Sequence, residues 1–125
     1  MDTVHKNVMI CCPMRGLSDQ EIEKNLWEIQ RFIQDSHPEW HCSFFDNFVK
    51  CKTVINEADD YGLYCLGMGI ANVMSRCDVI VFAPGHEASR GCLVEFSAAM
   101  NYNKEIIRLQ TEDGELKIID KLRWW

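Results

Sequence analysis

The stretch CDVIVFAPG, from Cys77 to Gly85, is the most strand-like part of this 125-residue chain. Val79 to Ala83 form an apolar run without a polar interruption, which is typical of a strand buried on both faces of a parallel sheet. The Pro84-Gly85 pair that follows is a turn signal. The stretch therefore predicts a strand from Cys77 to Ala83 with a loop directly after it.

Outward from this strand, the chain alternates strand and helix patterns. The predicted strands lie over Asn7–Cys12, Trp40–Phe45, Cys77–Ala83 and Lys104–Leu109, and the predicted helices over Ser18–Ser36, Tyr61–Arg76 and Gly91–Tyr102. This alternation predicts one α/β domain over residues 1–125. We expect a flavodoxin-like or Rossmann-like open parallel sheet of order 2-1-3-4, with an extra strand allowed and helices on both faces.

The first helix carries the clearest local signals. Ser18 and Glu21 have the spacing of a capping box, in which a hydroxyl cap is followed three residues later by a glutamate. One apolar stripe follows at helical spacing and consists of Ile22, Leu26, Ile29 and Ile33. This pattern predicts a helix of about four turns with one buried face.

Two segments have weaker patterns. Residues 49–60 show no clean period, so both a loop and an irregular helix remain open. Near the end of the chain, Asp113-Gly114 predicts a turn, and the residues after it form a short amphipathic segment that ends in Trp124-Trp125.

The composition excludes several classes of function. A formal net charge of -6 disfavours a nucleic-acid polymer as partner. The apolar runs are far shorter than the roughly 20 residues of a membrane span, so no membrane partner is expected. Because no leader pattern is recognised at the start, we expect a cytoplasmic protein.

The seven cysteines are also informative. Most lie inside apolar patterns, where a thiol behaves as a small hydrophobic side chain, so core packing is their expected role. No CxxC pair occurs and the four histidines are scattered, so neither a metal site nor a bound cofactor is expected.

The predicted sheet order identifies which loops meet. Ligands of open α/β sheets bind outside the carboxyl ends of the strands, where the strand order reverses. Here the reversal brings together the loops Pro13–Ser18 and Pro84–Gly91. Both loops lead into helix N-termini, which favour anions such as phosphate, and Arg15 adds a planar set of donors.

Each of these residues also has a purely structural interpretation. Ser18 and Ser89 are typical helix caps, the glycines of the loops suit turns or close packing, and Arg15 suits a solvated surface. Glu95 likewise has two possible interpretations. Helical periodicity alone favours a solvent-facing position for Glu95, whereas a side chain leaning back toward the first turn reaches the crevice.

Two segments together resemble a known family. PMRG at Pro13–Gly16 and the run Cys77–Glu95, which contains PGHEASRGCLVE, are similar to the nucleoside 2-deoxyribosyltransferase superfamily. The similarity is greatest to its small branch of 2′-deoxynucleoside 5′-phosphate N-hydrolases. The resemblance implies hydrolysis or transfer of the N-glycosidic bond of a (deoxy)nucleoside 5′-monophosphate or a related nucleoside. It implies Glu95 as the catalytic nucleophile and substrate or phosphate contacts from Met14, Arg15, Gly16, Ser89 and Gly91.

The chain departs from the family pattern at two places. Relatives carry an aspartate on the helix before the third strand that assists departure of the base, and here that neighbourhood is Gly69-Ile70-Ala71. Pro13 also replaces a small hydroxyl residue. The acid role is therefore open, with Asp59, Asp60, His86 and Glu87 as candidates, or with no residue filling it. Asp78 is expected to be structural.

Two functions remain in competition. The first is the glycosidase or transferase, and the second is a module of the same fold that binds a nucleotide or nucleotide-derived signal without turnover. A flavodoxin-like electron carrier is disfavoured because the first loop lacks the hydroxyl residues that wrap a flavin phosphate. Since the relatives form dimers, we also expect a homodimer or a larger homo-oligomer, through Trp124, Trp125 and the apolar helix before the third strand, unless these tryptophans fold onto the core.

Overall fold

A computed structural model describes residues 3–46 and 61–122, which form a five-stranded sheet and three α-helices. The strands are β1 (Val4–Cys11), β2 (Trp40–Asp46), β3 (Val79–Phe82), β4 (Glu105–Glu112) and β5 (Glu115–Leu122). The helices are α1 (Asp19–Ser36), α2 (Tyr61–Asn72) and α3 (Arg90–Asn101).

The strand order is β2-β1-β3-β4-β5, so the predicted order 2-1-3-4 is confirmed for the first four strands, which are parallel. The extra strand, β5, is antiparallel to β4. A two-residue turn joins them, with φ of 52° at Asp113 and 79° at Gly114, as a tight hairpin requires. The amphipathic segment predicted after this turn is therefore an edge strand, half-buried at every second residue.

Helices cover both faces of the sheet. The α1 face has a core built from α1 and from the strand residues that point toward it, including Val8, Ile10, Val79 and Val81. The α3 face has a separate core, in which α2 and α3 pack on Met9, Cys11, Ile80 and Phe82. Successive strand residues alternate between the two cores because side chains of a strand point to opposite faces in turn.

The predicted features of α1 are confirmed. The Glu21 amide donates to the Ser18 hydroxyl at 3.1 Å, and the Glu21 carboxylate accepts from the Ser18 amide at 3.1 Å, which completes the capping box. These bonds lower the pKa of Glu21. The buried residues of the helix are the four predicted ones, Ile22, Leu26, Ile29 and Ile33.

The segment before β3 differs from the prediction. The α-helix ends at Asn72, and a tighter 3₁₀ turn over Met74–Arg76 completes the connection to the strand. Asp78 has the structural role expected of it, because its carboxylate accepts the Asn7 amide at 2.9 Å and so joins β1 to the start of β3.

Several remaining predictions can be placed. Cys11, Cys12, Cys77 and Cys92 are buried, in agreement with a packing role. Residues 49–60, which include Asp59 and Asp60, and the terminal Trp124 and Trp125 lie outside the described residues. No helix within the described ranges is long and apolar enough to cross a membrane.

Candidate functional site

The loop after β1 makes a tight turn that presents Arg15. The Leu17 amide donates to the Met14 carbonyl at 3.2 Å, and Gly16 has φ of 82°. A four-residue turn with this geometry needs a positive φ at its third residue, and glycine adopts that φ without strain. This explains why position 16 is a glycine. Arg15 is exposed and forms no ion pair with the described acidic residues, whereas Met14 packs against the α1-face core.

The loop after β3 is held close to the first loop. Gly85 has φ of 86°, and a Cβ added to it would lie 3.8 Å from Cγ of Pro13. The Ala83 amide donates to the Cys11 carbonyl at 3.0 Å, which aligns the carboxyl ends of the two strands. The two loops therefore meet at the strand-order reversal, as the predicted sheet order requires.

Ser89 and Gly91 lie at the start of α3. The Ser89 hydroxyl accepts the Cys92 amide at 3.3 Å, so Ser89 is the N-cap of the helix. Gly91 is half-buried, and a Cβ built there would meet no described atom within 4 Å. Packing within the described chain thus gives no reason for glycine at this position, and the space beside it is open.

Glu95 is buried in the second turn of α3, with only 3% of its surface exposed. Its neighbours Leu93 and Val94 are 51% and 49% exposed. The solvent-facing position favoured by periodicity is therefore wrong, since the helix turns a carboxyl group inward and aliphatic groups outward. Buried carboxyl groups are rare and need partners, so Glu95 is a candidate for a chemical role.

The environment of Glu95 changes its acidity. Burial raises its pKa from 4.5 to about 7, and a hydrogen bond with the Cys11 thiol opposes the rise. Cys11 is at the carboxyl end of β1, and its own pKa is raised well above the usual value by burial and by the nearby Glu95 charge. Glu95 therefore exchanges its proton near neutral pH, within the range that suits acid, base or nucleophile roles.

Of the candidate acids, His86 and Glu87 fall within the described residues. His86 is 3% exposed, and its Nδ1 lies 2.7 Å from the Ala83 carbonyl. Its Nε2 accepts from Nε of Arg108 at 3.2 Å, so both ring nitrogens have partners. Glu87 is 56% exposed, and its carboxylate lies 3.7 Å from the Arg108 guanidinium.

A cavity of about 290 Å³ opens on the α1 face at the same edge of the sheet. Both loops contribute to it, through Pro13, Leu17 and Pro84. None of the six residues expected to contact or transform the substrate lines it. Its polar side chains are Asn25, Glu28 and Thr111, and Glu95 lies with the opposite core. Glu28 is half-exposed and lies 3.8 Å from Nζ of Lys24, whereas Glu95 is buried.

Arg108 is a residue of this region that the sequence patterns did not single out. It is half-buried in β4 and contacts His86, Glu87 and Asp120. The available signal was a charged residue inside the apolar strand EIIRL. Within residues 3–46 and 61–122, no three His, Cys, Asp or Glu side chains are grouped so as to hold a metal ion.

Comparison with protein-family models, with curated proteins and with solved structures gives no match to this chain. The resemblance seen in the two sequence segments therefore stays a prediction.

Proposed function

We propose that the protein hydrolyses or transfers the N-glycosidic bond of a (deoxy)nucleoside 5′-monophosphate or related nucleoside, on a flavodoxin-like or Rossmann-like sheet. The observation that carries the proposal is the inward-facing Glu95 carboxyl, buried beside the end of β1 on a helix whose neighbouring aliphatic residues face outward. The coincidence of this carboxyl with two loops that meet at the strand-order reversal supports a reaction at this edge.

The reaction assigned to Glu95 is attack on C1′ of the sugar. The carboxylate forms a bond to C1′ as the bond to the base nitrogen breaks, and the base leaves with the bonding electron pair. Water then cleaves the glycosyl ester in a hydrolase, or a second base does so in a transferase. Glu95 must be ionised to attack, so the rate should increase with pH through about 7.

The phosphate is assigned to the two helix starts. Ser89 and the amides near Gly91 lie at the positive end of α3, and the exposed Arg15 lies at the tip of the turn after β1. These groups carry positive charge or free donors, whereas the ionisable side chain of the α1-face cavity is the acidic Glu28. Charge therefore favours phosphate at the helix starts.

Glu87, Asp59 and Asp60 are the candidates for the acid that donates a proton to the departing base. His86 is buried, and its Nδ1 and Nε2 are already engaged by the Ala83 carbonyl and by Nε of Arg108. Glu87 is 56% exposed, and its carboxylate lies 3.5 Å from Nε2 of His86 and 3.7 Å from the Arg108 guanidinium.

The homodimer is part of the same proposal. Tyr64, Met68, Leu93 and Val94 are exposed on α2 and α3, which pack against each other. Exposed apolar side chains on two helices that pack against each other support association through these helices.

The test is release of free base from a panel of nucleoside and deoxynucleoside 5′-monophosphates, measured by chromatography. Glu95→Gln should lower the rate a thousandfold or more, because the amide keeps the shape but cannot act as an anionic nucleophile. The matched control is Glu28→Gln, which makes the same change in the cavity on the other face and should leave the rate within about twofold. Wild-type turnover by Glu95→Gln, or loss of turnover in Glu28→Gln alone, would refute the assignment.

One observation favours the binding module as second candidate. Helix α2, YGLYCLGMGIAN, has no acidic residue, so the carboxylate that the resembled family uses to release the base is missing from it. If the wild type binds a nucleotide without releasing base, and Arg15→Gln weakens that binding, the binding function replaces the enzymatic one.

A further inference from the structure

Arg108 joins the loop after β3 to strands β4 and β5. The Arg108 guanidinium donates from Nε to Nε2 of His86 at 3.2 Å and from Nη1 to the Asp120 carboxylate at 2.7 Å. Its Nη2 lies 3.7 Å from the Glu87 carboxylate, and its Cζ lies 5.8 Å from the centre of the Phe96 ring. One side chain of β4 thus contacts the loop, α3 and β5.

The state of His86 follows from these contacts. A guanidinium N–H can only donate, so Nε2 of His86 must be the acceptor. The ring proton is therefore on Nδ1, which donates to the Ala83 carbonyl at 2.7 Å. The buried imidazole connects Arg108 to the end of β3, and its backbone begins the short 3₁₀ turn that leads to Ser89.

We propose that Arg108 is a positioning residue for the site: through its hydrogen bond to His86 it fixes the loop Pro84–Ser89, and hence the proposed phosphate-binding start of α3. Its effect on ligand binding rests on the proposed function. Its effect on the loop does not, because that follows from the hydrogen bonds alone.

The molecule contains the same arrangement at a place remote from this loop. His37, which follows α1 and is 3% exposed, donates from Nδ1 to the Ile33 carbonyl at 3.0 Å. Its Nε2 accepts from Nζ of Lys121 at 2.8 Å, and its ring stacks on Trp40. The cation that contacts this second buried histidine also belongs to the β4–β5 hairpin. His37, however, precedes β2 and so lies at the edge of the sheet where the parallel strands begin. Lys121 is therefore the matched control for Arg108.

The experiment compares Arg108→Met with Lys121→Met by amide hydrogen exchange. The amides of His86, Ala88 and Ser89 are hydrogen-bonded within the loop, to the carbonyls of Ala83, Gly85 and His86. We expect these amides to exchange about tenfold faster in Arg108→Met and within about twofold of wild type in Lys121→Met, because Arg108 holds this loop.

Binding and kinetics supply the readout that a general loss of stability would not give. For inorganic phosphate, measured by calorimetry, Arg108→Met should raise Kd about tenfold, and Lys121→Met should leave it within about twofold. The KM for a cleaved nucleotide should rise similarly, with kcat within about threefold, since the polar contacts of Arg108 are with His86, Asp120 and Glu87. Arg108→Lys should recover part of the loss, because an ammonium can donate to His86 but does not reproduce the guanidinium fork.

The outcomes separate the two proposals. Wild-type loop exchange in Arg108→Met, or equal effects of Arg108→Met and Lys121→Met on loop exchange and on phosphate affinity, would overturn the positioning role. If Arg108→Met does not fold, Arg108→Lys is judged by the same exchange criterion against Lys121→Met. A wild type that neither binds phosphate nor cleaves any nucleotide would end the proposed function, while the exchange comparison would still decide whether Arg108 fixes the loop.

Discussion

Helices α1 and α3 cover opposite faces of one sheet, yet they bury different kinds of side chain. The buried residues of α1 are all aliphatic: Ile22, Leu26, Ile29 and Ile33. The buried face of α3 consists of Cys92, Glu95 and Ala99, while Leu93 and Val94 are exposed. The buried face of α1 thus contributes aliphatic packing to the core. Helix α3 instead buries a carboxyl group where an aliphatic side chain would stabilise the fold more.

The largest stability effect should come from removing an aliphatic side chain of α1. Ile29 is 3% exposed in the α1-face core. Ile29→Ala should lower the free energy of unfolding by roughly 2 to 5 kcal/mol at any pH, through lost burial and a residual cavity. Urea unfolding measures this. A loss below about 1 kcal/mol would show that α1 is not the stabilising helix.

Replacing Glu95, the buried carboxyl residue of α3, should instead raise the free energy of unfolding, and only at higher pH. Because the pKa of Glu95 is about 7 in the folded protein and 4.5 ordinarily, the folded state binds the proton more tightly. The contribution of Glu95 to stability is then complete below pH 4.5 and is lost as the pH rises through about 7. The difference corresponds to about 3 kcal/mol.

Glu95→Gln, which has no proton to lose, should remove this pH dependence. We expect it to match the wild type at pH 4.5 and to be more stable by about 3 kcal/mol at pH 8, measured by urea unfolding at both values. A variant that is less stable than wild type at pH 8 would mean that the ionised carboxylate stabilises the fold, contrary to the raised pKa.

The two helix caps should give the smallest effects. Ser18 belongs to a complete capping box with two bonds of 3.1 Å, whereas Ser89 accepts one bond of 3.3 Å. Ser18→Ala should cost about 1 kcal/mol and Ser89→Ala about half as much. Thermal unfolding of the two variants tests this order. A larger loss for Ser89→Ala than for Ser18→Ala would show that Ser89 stabilises the fold through contacts other than its helix cap.

The parts of the fold that sequence predicted are those governed by local signals. The capping box at Ser18, the stripe of α1 and the Asp113-Gly114 turn each depend on a few neighbouring residues, and each is confirmed. The direction of β5 was not predictable in this way. Pairing of an edge strand depends on the hairpin turn and on the register against β4, and a short alternating segment does not reveal either.

For the candidate site, sequence proposed residues but did not reveal their surroundings. Helical periodicity gave the wrong position for Glu95 because it assumes that the aliphatic side chains of a helix face inward. Arg108 was missed because its partners His86 and Asp120 are distant in sequence and are brought together by the β4–β5 pairing and the loop after β3. Topology predicted that the two loops meet, but not the cavity on the α1 face.

The buried thiols have a consequence for the chemical reactivity of the protein. Burial raises the pKa of Cys11, Cys12, Cys77 and Cys92, and also that of the half-buried Cys42. Alkylating reagents and oxidants react with the thiolate, which these residues rarely form at neutral pH. Folded protein should therefore be labelled slowly at these five positions, and the thiol beside Glu95 should leave the carboxylate as the more nucleophilic group of that pair.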